Sequence, residues 1–266
     1  AFEAYSTGLW GSHPLARKIT GEVADVEAIE RDALVDFFHQ RWNPRRLVVA
    51  VAGDVNPDVL AASLDRAFAG RDGGGAEAPP RVPPPRLVER RAVPKRINQQ
   101  QIYVGCDFEG AYANPGLIYG SLVMSTAFGE SMSSRLFQEL REKRGLCYNI
   151  GAFRALYSDV SIWSVYASAA PAQAARLLAA VDEEMARLLA EPLSEVEVED
   201  AKSHLIGSLI LSKADVESRM KRLVRLHVMF GGPQEYEQTV EHLRRITTDQ
   251  VREVSRHLLA GHPFNL

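Results

Sequence analysis

The order of apolar and polar residues predicts helices and strands in distinct stretches of the chain. In the first part, it predicts a helix over Ile29–Trp42, a buried strand over Arg46–Gly53 and a helix over Pro57–Phe68. Asn56 is expected to cap the last of these helices, because its side chain can accept hydrogen bonds from the free N–H groups of the first turn. The first part is therefore predicted to combine helices with at least one buried strand.

The second part predicts three strands and then a block of helices. The strands are expected within Arg96–Gly110, Tyr148–Phe153 and Ser161–Ala169, the last of which alternates in side-chain character from residue to residue. The helices are expected over Pro115–Phe128, Ser134–Arg144, Pro171–Ala190, Ser194–Phe230 and from Thr247 onward. Strands and helices in separate blocks, without regular βαβ alternation, favour an α+β fold in which helices cover one face of an antiparallel sheet.

A Gly- and Pro-rich run and a weak internal repeat define the domain organisation. The run Gly70–Arg96 cannot form a core and is typical of an extended connector. The stretches Arg31–Asp54 and Thr248–Leu266 share a helix, a Pro-containing turn and the start of an apolar strand. We therefore predict two related layered domains: the C-terminal part of a first domain at 1–72, a linker at 73–95, and a second domain at 96–266 that lacks its final strand. The alternative is that two amphipathic helices resemble each other by chance.

Composition and charge exclude several classes of protein. Of the 266 residues, 46% are hydrophobic and 24% charged, which is ordinary for a globular protein. Thirty-one basic and thirty-four acidic residues are scattered along the chain, so we expect no nucleic-acid partner. The longest apolar run is one strand long, so we expect no membrane span and a soluble protein, in the cytoplasm or periplasm. Cys106 and Cys147 have neither zinc-site nor redox spacing and are interpreted as buried apolar side chains.

The sequence contains no complete catalytic or metal site. None of its seven His residues lies in an H-x-x-E-H or H-E-x-x-H motif. Two His–carboxylate pairs at i,i+4 spacing, Asp200 with His204 and Glu253 with His257, are more typical of surface ion pairs than of half a metal site. We therefore predict that this chain supplies neither catalytic residues nor metal ligands.

One stretch, Ser133–Phe153, combines unusual charge with a change from helix to strand. Leu136, Phe137 and Leu140 form an apolar ridge, and Arg141 falls on its shoulder. Tyr148 follows after a turn, so its hydroxyl and the guanidinium of Arg141 could reach the same space.

Two roles for these side chains are open. Guanidinium and phenol donors suit the binding of a peptide carbonyl or the stabilisation of the charge that develops on it. Alternatively, Arg141 pairs with Glu139 or Glu142 and the Tyr only packs. Arg135 is expected to face away from the ridge.

The motif "SSRLFQELREKRGLCYNIGAF" resembles the hallmark of the C-terminal half of the pitrilysin/insulinase-type (M16) zinc metallopeptidases, a family that includes mitochondrial processing peptidase and the respiratory-complex core proteins. The opening "WGSHPLARKITGEVADVEAIERDALVDFFHQRWNPRRLVVAVAGDV" is similar to that family's first domain beyond its zinc ligands. The resemblance implies that Arg141 and Tyr148 bind the substrate backbone at a zinc site in the other half of a closed chamber. Glu130 departs from the Gly that relatives often have at its position.

The resemblance also implies a partner and a cofactor. Zinc is expected in the intact enzyme or in a partner subunit, bound by an H-x-x-E-H motif that this chain does not contain. The chain is expected to be part of a metalloendopeptidase that cleaves peptides, as a homodimer or as a heterodimer with a zinc-bearing M16 subunit. Alone, it is expected to be inactive.

Two alternatives to a peptidase remain open. The first is a member that keeps the M16 fold as a non-catalytic assembly scaffold. The second is a peptide-binding module that uses a groove beside the strand Ser161–Ala169 and needs no metal.

Overall fold

A computed structural model describes residues 2–42, 44, 47–70, 100–109, 114–157, 160–259 and 264–265. The α-helices are α1 (Phe2–Trp10), α2 (Val23–Glu27), α3 (Arg31–Arg41), α4 (Pro57–Phe68), α5 (Pro115–Ser125), α6 (Ala174–Ala190), α7 (Glu195–Ser212), α8 (Val216–Phe230), α9 (Tyr236–Arg245) and α10 (Thr248–Leu259). The strands are β1 (Gln100–Glu109), β2 (Asn149–Leu156), β3 (Val160–Ala169) and β4 (Phe264–Asn265). Two further segments are π-helical, a first at Thr126–Glu130 and a second at Phe137–Lys143. The linker predicted at 73–95 lies outside the described residues.

Local capping signals place several helix starts where the sequence predicts them. The Asn56 side chain accepts hydrogen bonds from the backbone N–H groups of Asp58 and Val59, which confirms this residue as the cap of α4. The backbone N–H of Thr247 donates to the Gln250 side chain, and the backbone N–H of Gln250 donates back to the Thr247 hydroxyl. This reciprocal pair is a capping box, and it starts α10 where the sequence predicts that helix to begin.

Two predicted elements differ in the structure. The long helix predicted over Ser194–Phe230 is wrong, because the chain turns between α7 and α8 and Asp215 starts a new helix by accepting from the Ser218 N–H at 2.7 Å. The strand predicted over Arg46–Gly53 is also not formed, since residues 47–53 are not paired into a sheet within the described part of the chain. An apolar run indicates burial, but a strand also needs a neighbour to pair with.

The sheet is antiparallel with the order β2-β3-β1-β4. β3 lies between β2 and β1, so a peptide cannot pair with it, and the groove predicted beside Ser161–Ala169 is not a free sheet edge. β2 forms one edge. β4 is two residues long and pairs with Val104 and Gly105 of β1.

Helices cover the sheet face that carries Trp163. The indole Nε1 of Trp163 donates to the Ser125 hydroxyl at 3.2 Å, and its ring lies 5.8 Å from that of Phe128. Helices α6 and α10 also contact the sheet. This arrangement confirms the predicted α+β fold, with helices layered on an antiparallel sheet.

Helix α1 covers part of the opposite face, which the sequence did not predict. Tyr5, Leu9 and Trp10 are buried against Val160 and Ile162 of β3. Helix α1 therefore belongs to the same hydrophobic core as the sheet.

The chain forms two compact units. One comprises the described residues within 1–16, 83–210 and 234–266, and contains the sheet; the other comprises those within 17–82 and 211–233. In the second unit, large apolar side chains such as Leu34, Phe37 and Trp42 are exposed. The domain boundaries predicted from the sequence stay a prediction. Among the described helices, none combines the length and the apolar composition that crossing a bilayer requires.

Candidate functional site

The helix that carries Arg141 begins at Arg135 and becomes π-helical at Phe137. Leu136 and Leu140 of the predicted ridge are fully buried and fix this helix to the core, whereas its third residue, Phe137, is only half-buried. The backbone N–H of Arg144 donates to the carbonyl of Glu139, five residues earlier, which is the π-helical spacing. Segments of this kind occur frequently at functional sites.

Arg141 lies on the exposed side of this π segment. Its guanidinium carbon lies 4.5 Å from the centre of the Phe137 ring, a cation–π contact. The ion pair with Glu142 is long, with 3.9 Å between Nε and the carboxylate oxygen, and the side chain is 42% exposed. Glu139 instead accepts from Lys143 at 2.5 Å. Arg141 therefore makes no close ion pair with either of the carboxylates that a purely structural role would use.

Tyr148 is held by its backbone and exposes its side chain. Its N–H donates to the carbonyl of Ser168 in β3 at 2.9 Å, while the residue is 65% exposed. Gly145 makes the turn before it with φ +59°, a conformation that favours glycine. Burial raises the pKa of Cys147, and the positive charge of Arg141 opposes that rise. Tyr148 therefore combines a fixed backbone with an exposed side chain.

Arg135 connects the start of this helix to the turn between α6 and α7. Its Nε and Nη2 donate to the two carboxylate oxygens of Glu197, the latter at 2.8 Å. Nη1 and Nη2 also donate to the backbone carbonyls of Glu191 and Pro192 at 2.7 and 2.9 Å. Burial alone would raise the pKa of Glu197, but hydrogen bonds from Arg135 and Ser194 lower it to about 2. Arg135, which the helical projection places away from the apolar ridge, thus connects this helix to another element.

Arg144 connects the end of the helix to α6. Its Nη1 donates to Glu183 at 2.7 Å and its Nη2 to Glu184 at 3.0 Å. The Glu184 side chain is 1% exposed, and burial raises its pKa while the charges of Arg187 and Arg144 oppose the rise. The arginines at both ends of the helix are thus engaged with neighbouring elements.

Glu130, which departs from the family pattern, is held by neighbouring side chains. Its carboxylate accepts from the hydroxyls of Ser125 at 2.5 Å and Thr126 at 3.3 Å, and lies 3.9 Å from Nε of Arg154. These contacts hold the first π segment against β2. The substitution is therefore accommodated without involving Arg141 or Tyr148.

The described residues contain no group of three or more His, Cys, Asp or Glu side chains that could hold a metal ion. Zinc, which the resemblance implies, therefore does not fit the side chains of the described part of the chain.

The sequence pattern did not reveal that Arg135 and Arg144 connect this helix to other elements, and the reason is physical. Arg135 and Glu197 are 62 residues apart, and Arg144 and Glu184 are 40 residues apart. A helical projection reports only neighbours within one helix. The one available signal was the basic character at both ends of a short helix.

The comparisons with known proteins identify the family. The model of the peptidase M16 inactive domain matches residues 28–205, which is more than half of the chain. The chain therefore belongs to the peptidase M16 family, and it represents the C-terminal part of such a protein.

Relatives and solved structures agree with this assignment. An uncharacterised zinc protease of Mycobacterium leprae is 32% identical over 261 residues, which cover 97% of this chain and 58% of the relative. The chain thus spans less than two thirds of that protein. A protease from Helicobacter pylori has a similar structure, with a TM-score of 0.84 and 16% identity over 97% of this chain and 63% of that one. A chain of complex III2 from Candida albicans is also similar in structure, with a TM-score of 0.82 and 17% sequence identity over 99% of this chain and 64% of that one.

Proposed function

We propose that this chain is part of a zinc-dependent metalloendopeptidase and supplies the half that binds the substrate backbone. The observation that carries the proposal is a contrast along one short segment. Arg135 and Arg144 are hydrogen-bonded to carboxylates of neighbouring elements, whereas Arg141 and Tyr148 are exposed. An exposed guanidinium and an exposed phenol that flank one turn are suited to bind a ligand that has acceptor oxygens.

A peptide carbonyl is the acceptor that this pair fits best. The guanidinium offers several N–H donors in one plane and the phenol offers one O–H donor. Such donors bind a carbonyl oxygen in the ground state and stabilise it further as negative charge develops during attack. Arg141 and Tyr148 would orient the substrate and stabilise the oxyanion.

The metal would come from another part of the assembly. The described residues provide no ligand set, and the relatives carry the name zinc protease. Zinc would be bound by an H-x-x-E-H motif in another segment of the same protein or in a partner subunit. The active unit would be a homodimer or a heterodimer with a zinc-bearing M16 subunit, acting on peptides that enter a closed chamber.

The alternative is a non-catalytic subunit that uses the same fold for assembly. The structural likenesses to a protease and to a chain of complex III2, at 16% and 17% sequence identity, concern the fold alone, so they favour neither function. The exposed Arg141 and Tyr148 distinguish them, because a scaffold has no need of this pair.

A peptide-cleavage assay tests the proposal. A fluorogenic peptide would be incubated with zinc and either this chain alone or a mixture with an M16 subunit that carries H-x-x-E-H. We expect cleavage only in the mixture, abolished by a chelator and reduced about a hundredfold by Tyr148→Phe or Arg141→Ala, since loss of one oxyanion donor typically costs that much. Lys221→Ala, which removes an exposed cation from α8, is the control and should leave the rate unchanged.

Two results would contradict the proposal. Association of the two proteins without any cleavage would favour the scaffold. Cleavage that is unaffected by Arg141→Ala and Tyr148→Phe would show that these side chains do not bind substrate.

A further inference from the structure

We propose that Arg144 is a positioning residue that sets the placement of Arg141 and Tyr148 through its hydrogen bond to the buried carboxylate of Glu184. This inference rests on the proposed function, because it concerns how the same substrate-binding pair is held. It assigns a role to a residue that touches no substrate.

The position of Arg144 in the chain is the first argument. It follows Arg141 by three residues and precedes Tyr148 by four, at the junction of the π segment and the turn into β2. The backbone N–H of Arg144 donates to Glu139, and that of Gly145 donates to Arg141, both at 3.2 Å. The backbone at Arg144 therefore cannot shift without moving the residue that carries the guanidinium.

The second argument is the geometry of the contact with α6. The two terminal nitrogens of Arg144 donate to different carboxylates, Glu183 at 2.7 Å and Glu184 at 3.0 Å. Two bonds from one planar group to consecutive residues of a helix fix both its distance and its orientation. A lysine has a single nitrogen and no planar fork, so it could keep the charge but not this orientation.

Burial of Glu184 makes the contact more than a surface ion pair. Its side chain is 1% exposed, and Oε2 has no hydrogen-bond donor. Arg144 donates to Oε1, so removal of Arg144 would leave a buried carboxylate without that donor. We expect the end of the π segment to move away from α6 and let water reach the carboxylate.

Arg135 limits where that movement can go. Its four hydrogen bonds hold the start of the helix to the turn between α6 and α7. With one end fixed, a change at Arg144 is taken up between Phe137 and Tyr148, which is the stretch that carries both candidate side chains. The other fixed point is Tyr148, whose backbone N–H donates to Ser168 of β3, so Arg144 controls the stretch between these two points.

Arg187 provides a matched control. Its Nη1 lies 3.6 Å from Oε2 of Glu184, so it also places positive charge near the carboxylate. Arg187 belongs to α6, the same helix as Glu184. Its other ion pair is with Glu191, at the C-terminal end of that helix. Arg187→Gln therefore changes the charge around Glu184 without releasing the helix that carries Arg141.

The test is a double-mutant cycle in the active assembly with a zinc-bearing subunit. We expect Arg144→Gln to lower kcat about tenfold to a hundredfold, because misplacement of a substrate-binding group by about 1 Å can cost that much. Arg187→Gln should stay within about twofold of the parent. In an Arg141→Lys background, which loses the planar fork but keeps a charge, Arg144→Gln should lower kcat by a much smaller factor.

The cycle separates positioning from stability. A residue that only supports folding would lower activity by the same factor in both backgrounds, and that result would overturn the inference. Equal effects of Arg144→Gln and Arg187→Gln would also overturn it. If Arg144→Gln lowers the folded fraction, Glu183→Ala replaces it, because the Glu183 side chain is 63% exposed and its loss removes one of the two acceptors of Arg144. We expect this variant to lower kcat by a smaller factor than Arg144→Gln does, and by a smaller factor still in the Arg141→Lys background. Equal factors in the two backgrounds, or no loss of kcat at all, would contradict the inference.

The outcome also separates this inference from the proposed function. If Arg141→Lys leaves kcat unchanged, the proposed function fails, and the inference fails with it. If Arg141→Lys lowers kcat while Arg144→Gln does not, only the positioning role is wrong.

Discussion

The two sides of the helix that begins at Arg135 are used differently. On the inner side, Leu136 and Leu140 are buried, and Arg135 and Arg144 form hydrogen bonds with Glu197, Glu184 and neighbouring groups. On the outer side, Arg141 contacts a ring of its own helix and is 42% exposed. Arginine thus stabilises the fold at positions 135 and 144 and is exposed to solvent at position 141. Stability and activity should therefore respond to different substitutions.

The largest effect on stability is expected where the first π segment meets β2. A Cβ added to Gly129 would lie 2.6 Å from Cβ of Ala152 and 2.8 Å from its backbone nitrogen. Because backbone cannot move aside cheaply, Gly129→Ala should lower the free energy of unfolding by about 2–3 kcal/mol. Urea denaturation measures this. Gly207→Ala in α7 is the control, since a Cβ there meets nothing within 4 Å, and it should stabilise by about 0.5–1 kcal/mol.

An intermediate, pH-dependent effect is expected at Glu197. Its pKa is lowered from 4.5 to about 2 in the folded chain, so the ionised form stabilises the fold above pH 4.5, and this contribution is lost as the pH falls towards 2. Glu197→Gln should cost about 2 kcal/mol at pH 7, as expected for hydrogen bonds to a charged group. The difference between parent and variant should shrink as the pH falls from 4.5 to 2.

Unfolding measured at several pH values tests this expectation. If the difference in the free energy of unfolding between parent and Glu197→Gln stayed constant from pH 4.5 to 2, the charge of the Glu197 carboxylate would not contribute to stability. Glu241→Gln, which breaks the exposed i,i+4 pair with Arg245, is the control and should have a much smaller effect.

The smallest effect on stability is expected at Arg141. Its exposed cation–π contact with Phe137 is worth about 0.5–1 kcal/mol at most, so Arg141→Ala should shift Tm little while it lowers peptidase activity greatly. Thermal unfolding and the peptide assay would be run on the same preparation. A large fall in Tm would show that Arg141 serves the fold, and the contrast between the two sides of the helix would not hold.

The fold was predictable where the signals are local. Asn56 and the Thr247–Gln250 box mark helix starts because a cap depends only on residues two or three positions away. The break before α8 was missed because Asp215 lies inside an amphipathic pattern that continues on both sides. The placement of α1 on the sheet depends on contacts between residues more than a hundred positions apart, such as Tyr5 with Ser164, which no local pattern reports.

The candidate site was predictable only in part. The apolar ridge follows from spacing, and both Leu136 and Leu140 are buried as expected. The choice of Arg141 and Tyr148 came from resemblance to a family, because spacing alone did not distinguish a substrate-binding Arg from a paired one. The π-helical geometry depends on how the turn at Gly145 returns to the helix, which the sequence pattern does not encode.

That π-helical geometry makes the segment respond differently to the loss and to the gain of a residue. Hydrogen bonds to the fifth preceding residue accommodate one residue more than an α-helix would. Deletion of one residue between Phe137 and Arg141 would therefore be absorbed by a return to α-helical hydrogen bonding, and Arg141 and Arg144 would keep their directions. An inserted residue would not be absorbed in this way: each later side chain would rotate by about 100° around the axis, which would turn Arg141 and Arg144 away from their present neighbours together. The segment should therefore tolerate the loss of one residue better than the gain of one.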